Sequence, residues 1–326
     1  MPKTQADASG AVLLGDRQLE FLENWVSDWS SGERMKVLLS QTIFANVATL
    51  PEEEFHDRIV PQLRILNANE YAPNDRPVSD MDSNGWPQTG RNKALKVIRK
   101  GFAFHIAGDQ HLGSFIQYGT DEYRDAPFAF CVPSVSNVWP RRWYPQEEGA
   151  NREPDSYKYT GDFEDGFGNK MTVHAVSNPV FTGRKPSNLY DRATGYGIVR
   201  LDRQSRDIIV ECWPRDINPK EKNAKQYPGW PITINQMDNY SRKAAAWLPT
   251  IETLGMVDPV VQVLVESTGE IVYTVRIPGD EWNPPVFAPG TYTLKVGAPE
   301  KGNMQEIRGI KSVEKKGGGE RITVRF

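Results

Sequence analysis

The chain has 326 residues, of which 25% are charged and 10% are aromatic, and its formal net charge is −3. This length and composition predict an ordered globular protein with a large core and room for two or three domains. The mean hydropathy of −0.57 argues against a membrane protein. The net charge gives no reason to expect a nucleic-acid partner or a nucleic-acid-binding domain.

The amino-terminal segment, MPKTQADASGAVLLG, contains no apolar run long enough for a signal peptide or a membrane anchor. A helix is predicted directly after it, with Asp16 as the N-cap. Apolar residues recur there at helical spacing and form its inner face: Leu19, Leu22, Trp25, Val26 and Trp29. So abrupt a start is expected of a chain that begins partway through a larger domain.

Two apolar runs predict strands that end in polar groups. Met35–Ser40 is followed by Gln41, and Phe102–Ala107, within GFAFHIAGDQH, is followed by Asp109 and His111. If the chain stays extended, Asp109 and His111 leave the same face, and an oxygen ligand beside a nitrogen ligand suits a divalent metal. The alternative is an ordinary Gly-Asp turn at the end of a buried strand.

The segment between these two runs predicts helices and a long loop. Thr49 and Glu52 form a capping box that predicts a helix, and a polar loop follows from residue 68 to residue 90. The end of this loop, DSNGWPQTGR, carries Asp82 and Arg91, and Asn92–Lys100 is predicted as the next helix. Strand, helix, loop, helix and strand together predict an α/β layered fold with loops gathered at one edge of a sheet.

Beyond His111 the pattern changes to short strands separated by turns. Five are predicted before residue 249: Ser114–Tyr118, Phe128–Val132, Met171–Val176, Gly197–Leu201 and Asp207–Trp213. Cys131 and Cys212 lie in two of them, and two buried thiols or one disulfide would fit this placement. Five further strands favour a small carboxyl-terminal β-sandwich: Val260–Val265, Ile271–Ile277, Gly290–Val296, Ile307–Val313 and Arg321–Phe326.

Five segments in sequence order resemble the PhoD-like (alkaline phosphatase D) branch of the metallophosphoesterases, in its carboxyl-terminal part. They are LLGDRQLEFLENWVSDWS, MKVLLSQTIFAN, DSNGWPQTGRNKALKVIRKGFAFHIAGDQH, GYGIVRLDRQSRDIIVECWPR and NQMDNYSRKAAAWLPT. The resemblance implies an α/β (α+β) protein with a partial metallophosphoesterase-type sheet sandwich. Residues 1–127 would be the carboxyl-terminal half of the catalytic domain, 128–248 its β-rich extension, and 249–326 the small β-sandwich.

The resemblance also implies an activity, the hydrolysis of a phosphate mono- or diester by two bound metal ions such as calcium, iron, manganese or zinc. By position, Asp109 and His111 resemble metal ligands of the family. Gln41 lies where many relatives have a ligand histidine, so it would bind a metal, the substrate or a metal-bound water. Asp82 and Arg91 would orient the substrate, because a guanidinium binds phosphate through its bidentate fork.

The upstream ligand motifs of the family have no counterpart in this sequence, since the early Gly15-Asp16 pair falls at a helix start. We therefore expect half of an active site, an inactive or weakly active chain, and a missing amino-terminal half as its partner. Relatives tend to be secreted or periplasmic. One alternative is a non-catalytic protein that binds a saccharide or an envelope partner through its β-rich region. A second alternative is a complete enzyme with one metal ion or none, in which Asp109 and His111 act as an acid/base pair and Asp82 supports them.

Overall fold

The computed structural model describes residues 6–51, 60–136 and 139–326. These residues form a mixed α/β protein in which strands predominate. The α-helices are α1 (Asp16–Ser27), α2 (Gln88–Ile98) and the single turn α3 (Ser187–Tyr190). The strands are β1 (Val37–Leu39), β2 (Thr49–Pro51), β3 (Asp75–Pro77), β4 (Phe104–Ala107), β5 (Ser114–Tyr118), β6 (Phe128–Cys131), β7 (Gly161–Glu164), β8 (Lys170–Val176), β9 (Gly195–Leu201), β10 (Asp207–Pro214), β11 (Ile232–Asn235), β12 (Ala246–Trp247), β13 (Ile251–Leu254), β14 (Val260–Val265), β15 (Ile271–Arg276), β16 (Glu281–Trp282), β17 (Pro285–Val286), β18 (Thr291–Ala298), β19 (Asn303–Lys311) and β20 (Ile322–Arg325).

A six-stranded sheet with the order β1-β4-β6-β5-β8-β7 forms the centre of the first half of the chain. β1, β4 and β6 are parallel neighbours, and β5, β8 and β7 continue the sheet in antiparallel pairs. The predicted strands before Gln41 and Asp109 are thus present as β1 and β4, and the structure shows that they are adjacent and parallel. Since parallel strands end at the same edge of a sheet, the residues that follow them lie close together. β1 is an edge strand, and its Leu39 is 72% exposed.

Helices and a second sheet cover the two faces of this central sheet. α1 and α2 pack on one face, where Val26 and Leu95 share a core with Ile116. The three-stranded sheet β11-β10-β9 packs near Phe104 and Phe130, and Cys212 lies in that core. α1 begins one residue earlier than predicted, because Gly15 and not Asp16 is the N-cap, and the Gly15 N–H donates to the Gln18 side chain at 3.0 Å.

Strands from both sides of the predicted boundary between residues 127 and 128 pair in one sheet. β6, β7 and β8 lie in the segment predicted as a β-rich extension of the catalytic domain, and they pair within the same sheet as β1 and β4. β6 even lies between β4 and β5, so the sheet is completed only by the later strands.

The carboxyl-terminal module contains all five predicted strands, as β14, β15, β18, β19 and β20. A four-stranded sheet, β15-β14-β18-β19, and a three-stranded sheet, β16-β13-β20, contribute to one apolar core around Val261, Tyr273 and Val324. This arrangement is compatible with the predicted β-sandwich. The module starts slightly before residue 249, since β12 pairs with β17.

The helix predicted to begin at Thr49 is not present at its first residues. Thr49 lies in β2, which pairs with β3, so the prediction that Thr49 caps a helix is wrong. Residues 52–59 of that predicted helix lie outside the described residues. Cys131 and Cys212 are buried free thiols. Among the described residues, none of the helices has the length and apolarity that a membrane crossing requires.

Candidate functional site

The GDQH segment leaves β4 as a tight turn and not as a continued strand. Asp109 and His111 both have φ of 60°, in the left-handed region that L-residues with a Cβ seldom adopt. Between them, Gln110 points inward and is only 3% exposed; its amide donates to the Ala45 carbonyl at 2.7 Å and accepts from the Val47 N–H at 3.4 Å. The expectation that Asp109 and His111 share a face through extended backbone is therefore wrong.

Asp109 and His111 nevertheless line the same cleft, which has a volume of about 350 Å³. The cleft lies at the carboxyl ends of β1 and β4, and four separate segments contribute to it. The lining residues are Thr42, Asp80, Asp82, Ser83, Asp109, Gln110, His111, Trp139 and Arg141. Three residues singled out by the sequence, Asp82, Asp109 and His111, are thus brought together.

Gln41 contacts the cleft through Asp109. Its side-chain amide donates to the Asp109 carboxylate at 2.8 Å, and both side chains are exposed. The Gln41 carbonyl also accepts a hydrogen bond from the Gly108 N–H at 2.9 Å. The end of β1 therefore orients Asp109 twice, through the backbone before it and through its carboxylate.

Arg91 does not face the cleft, and the substrate-orienting role predicted for it does not fit its position. It is 1% exposed, and its guanidinium donates to the carbonyls of Phe44, Gly119 and Lys170 at 2.8, 2.6 and 3.2 Å. Burial lowers its pKa to about 10, partly offset by the charge of Asp165. Buried carbonyls need a hydrogen-bond donor, and the Arg91 guanidinium supplies one to each of these three. Arg91 thereby connects α2 to three other segments of the chain.

Arg141 supplies the guanidinium that lines the cleft. This residue was not predicted as a site residue from the sequence. It donates to the Asp80 carboxylate at 2.7 Å and to the Asn46 side chain at 3.1 Å, and its side chain is 10% exposed. Asn46 is itself fixed, since its N–H donates to Asp165 at 2.9 Å. The adjacent Arg142 instead makes a buried bidentate pair with Asp75. The arginine pair of PRRWYP is the feature of the sequence that could have indicated a cationic site residue. The pattern alone does not indicate which of the two arginines faces the cleft.

A buried polar network supports the wall of the cleft at Thr42. His105 is fully buried, which lowers its pKa to about 3 and keeps the ring neutral. Its Nδ1 lies 2.8 Å from the Tyr118 hydroxyl and its Nε2 lies 2.7 Å from the Ser40 hydroxyl. The Tyr118 hydroxyl oxygen already accepts a hydrogen bond from the Phe44 N–H, so its own proton is donated to Nδ1 of His105. The Nε2–H of His105 then donates to the Ser40 hydroxyl, and that hydroxyl donates to the Thr42 carbonyl at 2.6 Å. Every member is satisfied, which indicates a structural network.

The cleft does not contain a complete metal-binding set among the described residues. No group of three or more His, Cys, Asp and Glu side chains in residues 6–51, 60–136 and 139–326 is arranged to hold a metal ion. Asp109 and His111 remain two donors of the types that divalent metals prefer. The two-metal centre implied by the resemblance stays a prediction.

The electrostatics of the cleft are dominated by carboxylates. Asp80 is neutralised by Arg141, while Asp82 and Asp109 form no ion pair with another residue that the structure describes. An anionic substrate would meet net negative charge here unless a cation accompanied it.

Comparisons of the chain with protein-family models, curated proteins and solved structures gave no match.

Proposed function

We propose that the cleft belongs to a metal-dependent phosphate-ester hydrolase of the PhoD-like type. The observation that carries the proposal is that Asp82, Asp109 and His111, which lie in segments resembling that family, line one cleft at the carboxyl ends of two parallel strands. Crevices outside the carboxyl ends of parallel strands are where α/β proteins bind ligands.

The backbone at the cleft gives independent support. Two residues with side chains, Asp109 and His111, are held at φ of 60° on either side of a buried glutamine. Such conformations cost free energy and persist where the surroundings enforce them, and they concentrate at functional sites. Hydrogen bonds from the Gln41 side chain to Asp109, from Gln110 to the Ala45 carbonyl and from the Val47 N–H to Gln110 enforce them here.

Within this proposal the residues of the chain have distinct tasks. Arg141, fixed by Asp80 and Asn46, presents a guanidinium that can bind a phosphoryl oxygen. Asp82 and Asp109 supply the negative charge that would attract a metal cation, and His111 supplies a nitrogen donor. Since the described residues hold no three-donor group, we expect the chain by itself to hydrolyse esters slowly.

Hydrolysis assays test the proposal. We would measure release of 4-nitrophenol from its phosphate monoester and diester, with and without manganese or calcium. The expected result is slow, metal-dependent hydrolysis that is lost in Asp109→Asn and His111→Asn, because asparagine tolerates the left-handed backbone while removing the charge or the imidazole. Arg141→Met should lower the rate about 100-fold, the scale of one lost transition-state contact.

Asp155→Asn is the matched control, because Asp155 is an exposed aspartate at φ of 62° and does not line the cleft. Equal loss of activity in Asp155→Asn, or hydrolysis that persists in His111→Asn, would contradict the proposal. Saccharide binding without any hydrolysis or metal binding would instead favour a non-catalytic binding protein.

A further inference from the structure

A second concavity, with a volume of about 410 Å³, lies between α2 and the carboxyl-terminal module, away from the cleft. We call it the basic groove, and it is defined by five cationic side chains: Lys93, Lys96, Arg99, Lys100 and Arg242. Two acidic residues, Glu23 and Glu270, also line it. This excess of positive charge occurs on a chain whose formal net charge is −3.

The lysines of the basic groove lie along one side of α2 and the turn that follows it. Lys93, Lys96 and Lys100 are spaced three and four residues apart, which places them on the same helical face. Opposite them, Val265 of β14 and Val272 of β15 form an apolar wall. A ligand in the groove would meet cations on one side and an apolar surface on the other.

Arg242 is held at the groove by aromatic packing. Its guanidinium lies 5.0 Å from the centre of the Phe287 ring, and Phe287 stacks on Tyr240 at 4.6 Å. A cation above an aromatic face is attracted by the ring, which restricts its position. Arg242 therefore presents a planar guanidinium at the groove.

The carboxylate partners leave part of this charge uncompensated. Lys96 pairs with Asp121 at 2.8 Å and Lys100 with Glu270 at 3.3 Å, but these carboxylates are 65% and 67% exposed. Exposed ion pairs contribute little and exchange readily for another anion. Lys93 and Arg242 have no carboxylate within ion-pair distance among the residues that the structure describes.

The cations also converge in space. The pKa of Asp121 is held below its usual value, first by the hydrogen bond from Lys96, and the charges of Arg99 and Arg242 act in the same direction. Lys96 pairs with this exposed carboxylate, and Arg99 and Arg242 lie near enough to act on it, although the ion-pair partner of Arg99 is the buried Asp125 at 3.7 Å. An incoming anion with more than one charge could take the place of that carboxylate.

We propose that the basic groove binds a small anion with two or more negative charges. Phosphate groups fit this set of side chains best, because lysines act as point charges and an arginine fork binds phosphate oxygens bidentately. The volume lies within the range of ligand pockets. The proposal concerns a different surface from the cleft and does not depend on its activity.

Calorimetric titration of the full chain with pyrophosphate and with citrate, at constant ionic strength, tests the groove. The decisive variant is the double substitution Lys93→Ala/Arg242→Ala, and both side chains are exposed, so the fold should be kept. Lys243→Ala is the matched control, because Lys243 is an exposed cation next to Arg242 that does not line the groove. Arg141→Met tests for binding at the cleft, because Arg141 is the guanidinium in its lining.

We expect saturable pyrophosphate binding that is at least about tenfold weaker in the double variant, as befits two lost charge-assisted contacts. It should be unchanged in Lys243→Ala and in Arg141→Met. Absence of binding, equal affinity in the double variant and wild type, or a loss confined to Arg141→Met would overturn the proposal. Citrate binding as tight as pyrophosphate binding would overturn the preference for phosphate.

Discussion

The cleft and the carboxyl-terminal module differ in how their sequences determine their structures. In the module, regular strands such as β14 and β18 bury alternating or continuous apolar side chains, and local sequence pattern is enough to place them. At the cleft, the decisive residues lie in turns with left-handed backbone, and contacts with distant segments hold them there. Local pattern thus determines the scaffold, whereas non-local hydrogen bonds determine the geometry of the cleft.

The largest expected effect concerns the arginine buried beside the cleft. Arg91→Met should lower the free energy of unfolding by about 3–5 kcal/mol, since it removes a buried charge and leaves several buried carbonyls without a donor. Lys93→Met on the same helix, which is exposed, should change it by less than about 0.5 kcal/mol. Urea unfolding measures both, and similar effects would show that Arg91 is not structurally required.

A second prediction compares glutamines in the two regions. Gln110→Leu should cost about 1–3 kcal/mol, because it leaves the Ala45 carbonyl and the Val47 N–H unsatisfied. Gln262→Leu, in β14, should cost less than about 1 kcal/mol, since the half-buried Gln262 side chain donates to the Thr274 hydroxyl, another side chain, and not to a buried backbone group. Equal losses in unfolding free energy would remove the contrast between the regions.

The buried imidazole under the cleft predicts a pH dependence. The pKa of His105 is lowered to about 3 in the folded protein from an ordinary value of 6.5, so the unfolded chain binds a proton that the folded chain does not. Its contribution is fully present above pH 6.5 and falls with decreasing pH towards pH 3, by about 1.4 kcal/mol per unit. His174 acts in the same direction, since its pKa is lowered to about 4.

Unfolding free energies between pH 6.5 and 5, in wild type and His105→Asn, measure this dependence. The variant should show a slope that is smaller by up to about 1.4 kcal/mol per pH unit, whatever its absolute stability. An unchanged slope would mean that His105 is protonated in the folded protein, which the Tyr118 and Ser40 hydrogen bonds argue against.

The smallest expected effect is a gain in stability at the cleft. His111→Gly should leave the free energy of unfolding unchanged or raise it by up to about 1 kcal/mol, because glycine relieves the strain at φ of 60° while making the unfolded chain more flexible. Activity at the cleft should be lost together with the imidazole. A clear loss of stability would show that contacts of His111 outweigh its backbone strain.

Much of the scaffold could be predicted because its signals are local. The spacing of Leu19, Leu22 and Val26 predicted the buried face of α1, and the apolar runs predicted β4 and β5. The cleft could be predicted only in part. Asp82, Asp109 and His111 were found from the strand ends and the resemblance, but Arg141 was not, since its orientation depends on Asp80 and Asn46, which are far away in sequence.

The inward turn of Gln110 was equally hidden from the sequence. A glutamine between an aspartate and a histidine has the pattern of a solvated loop. Gln110 is nevertheless buried, because its side chain satisfies the backbone carbonyl of Ala45 and the backbone N–H of Val47. Arg91 was misplaced for the same reason: its carbonyl partners come from three separate segments of the chain.

Calorimetric titration with manganese tests the central claim, that Asp109 and His111 are donors of a metal-dependent site, most directly. We predict weak binding to the wild-type chain that disappears in both Asp109→Asn and His111→Asn and persists in Asp155→Asn. Binding that survives both cleft substitutions, or no binding at millimolar manganese, would contradict the account.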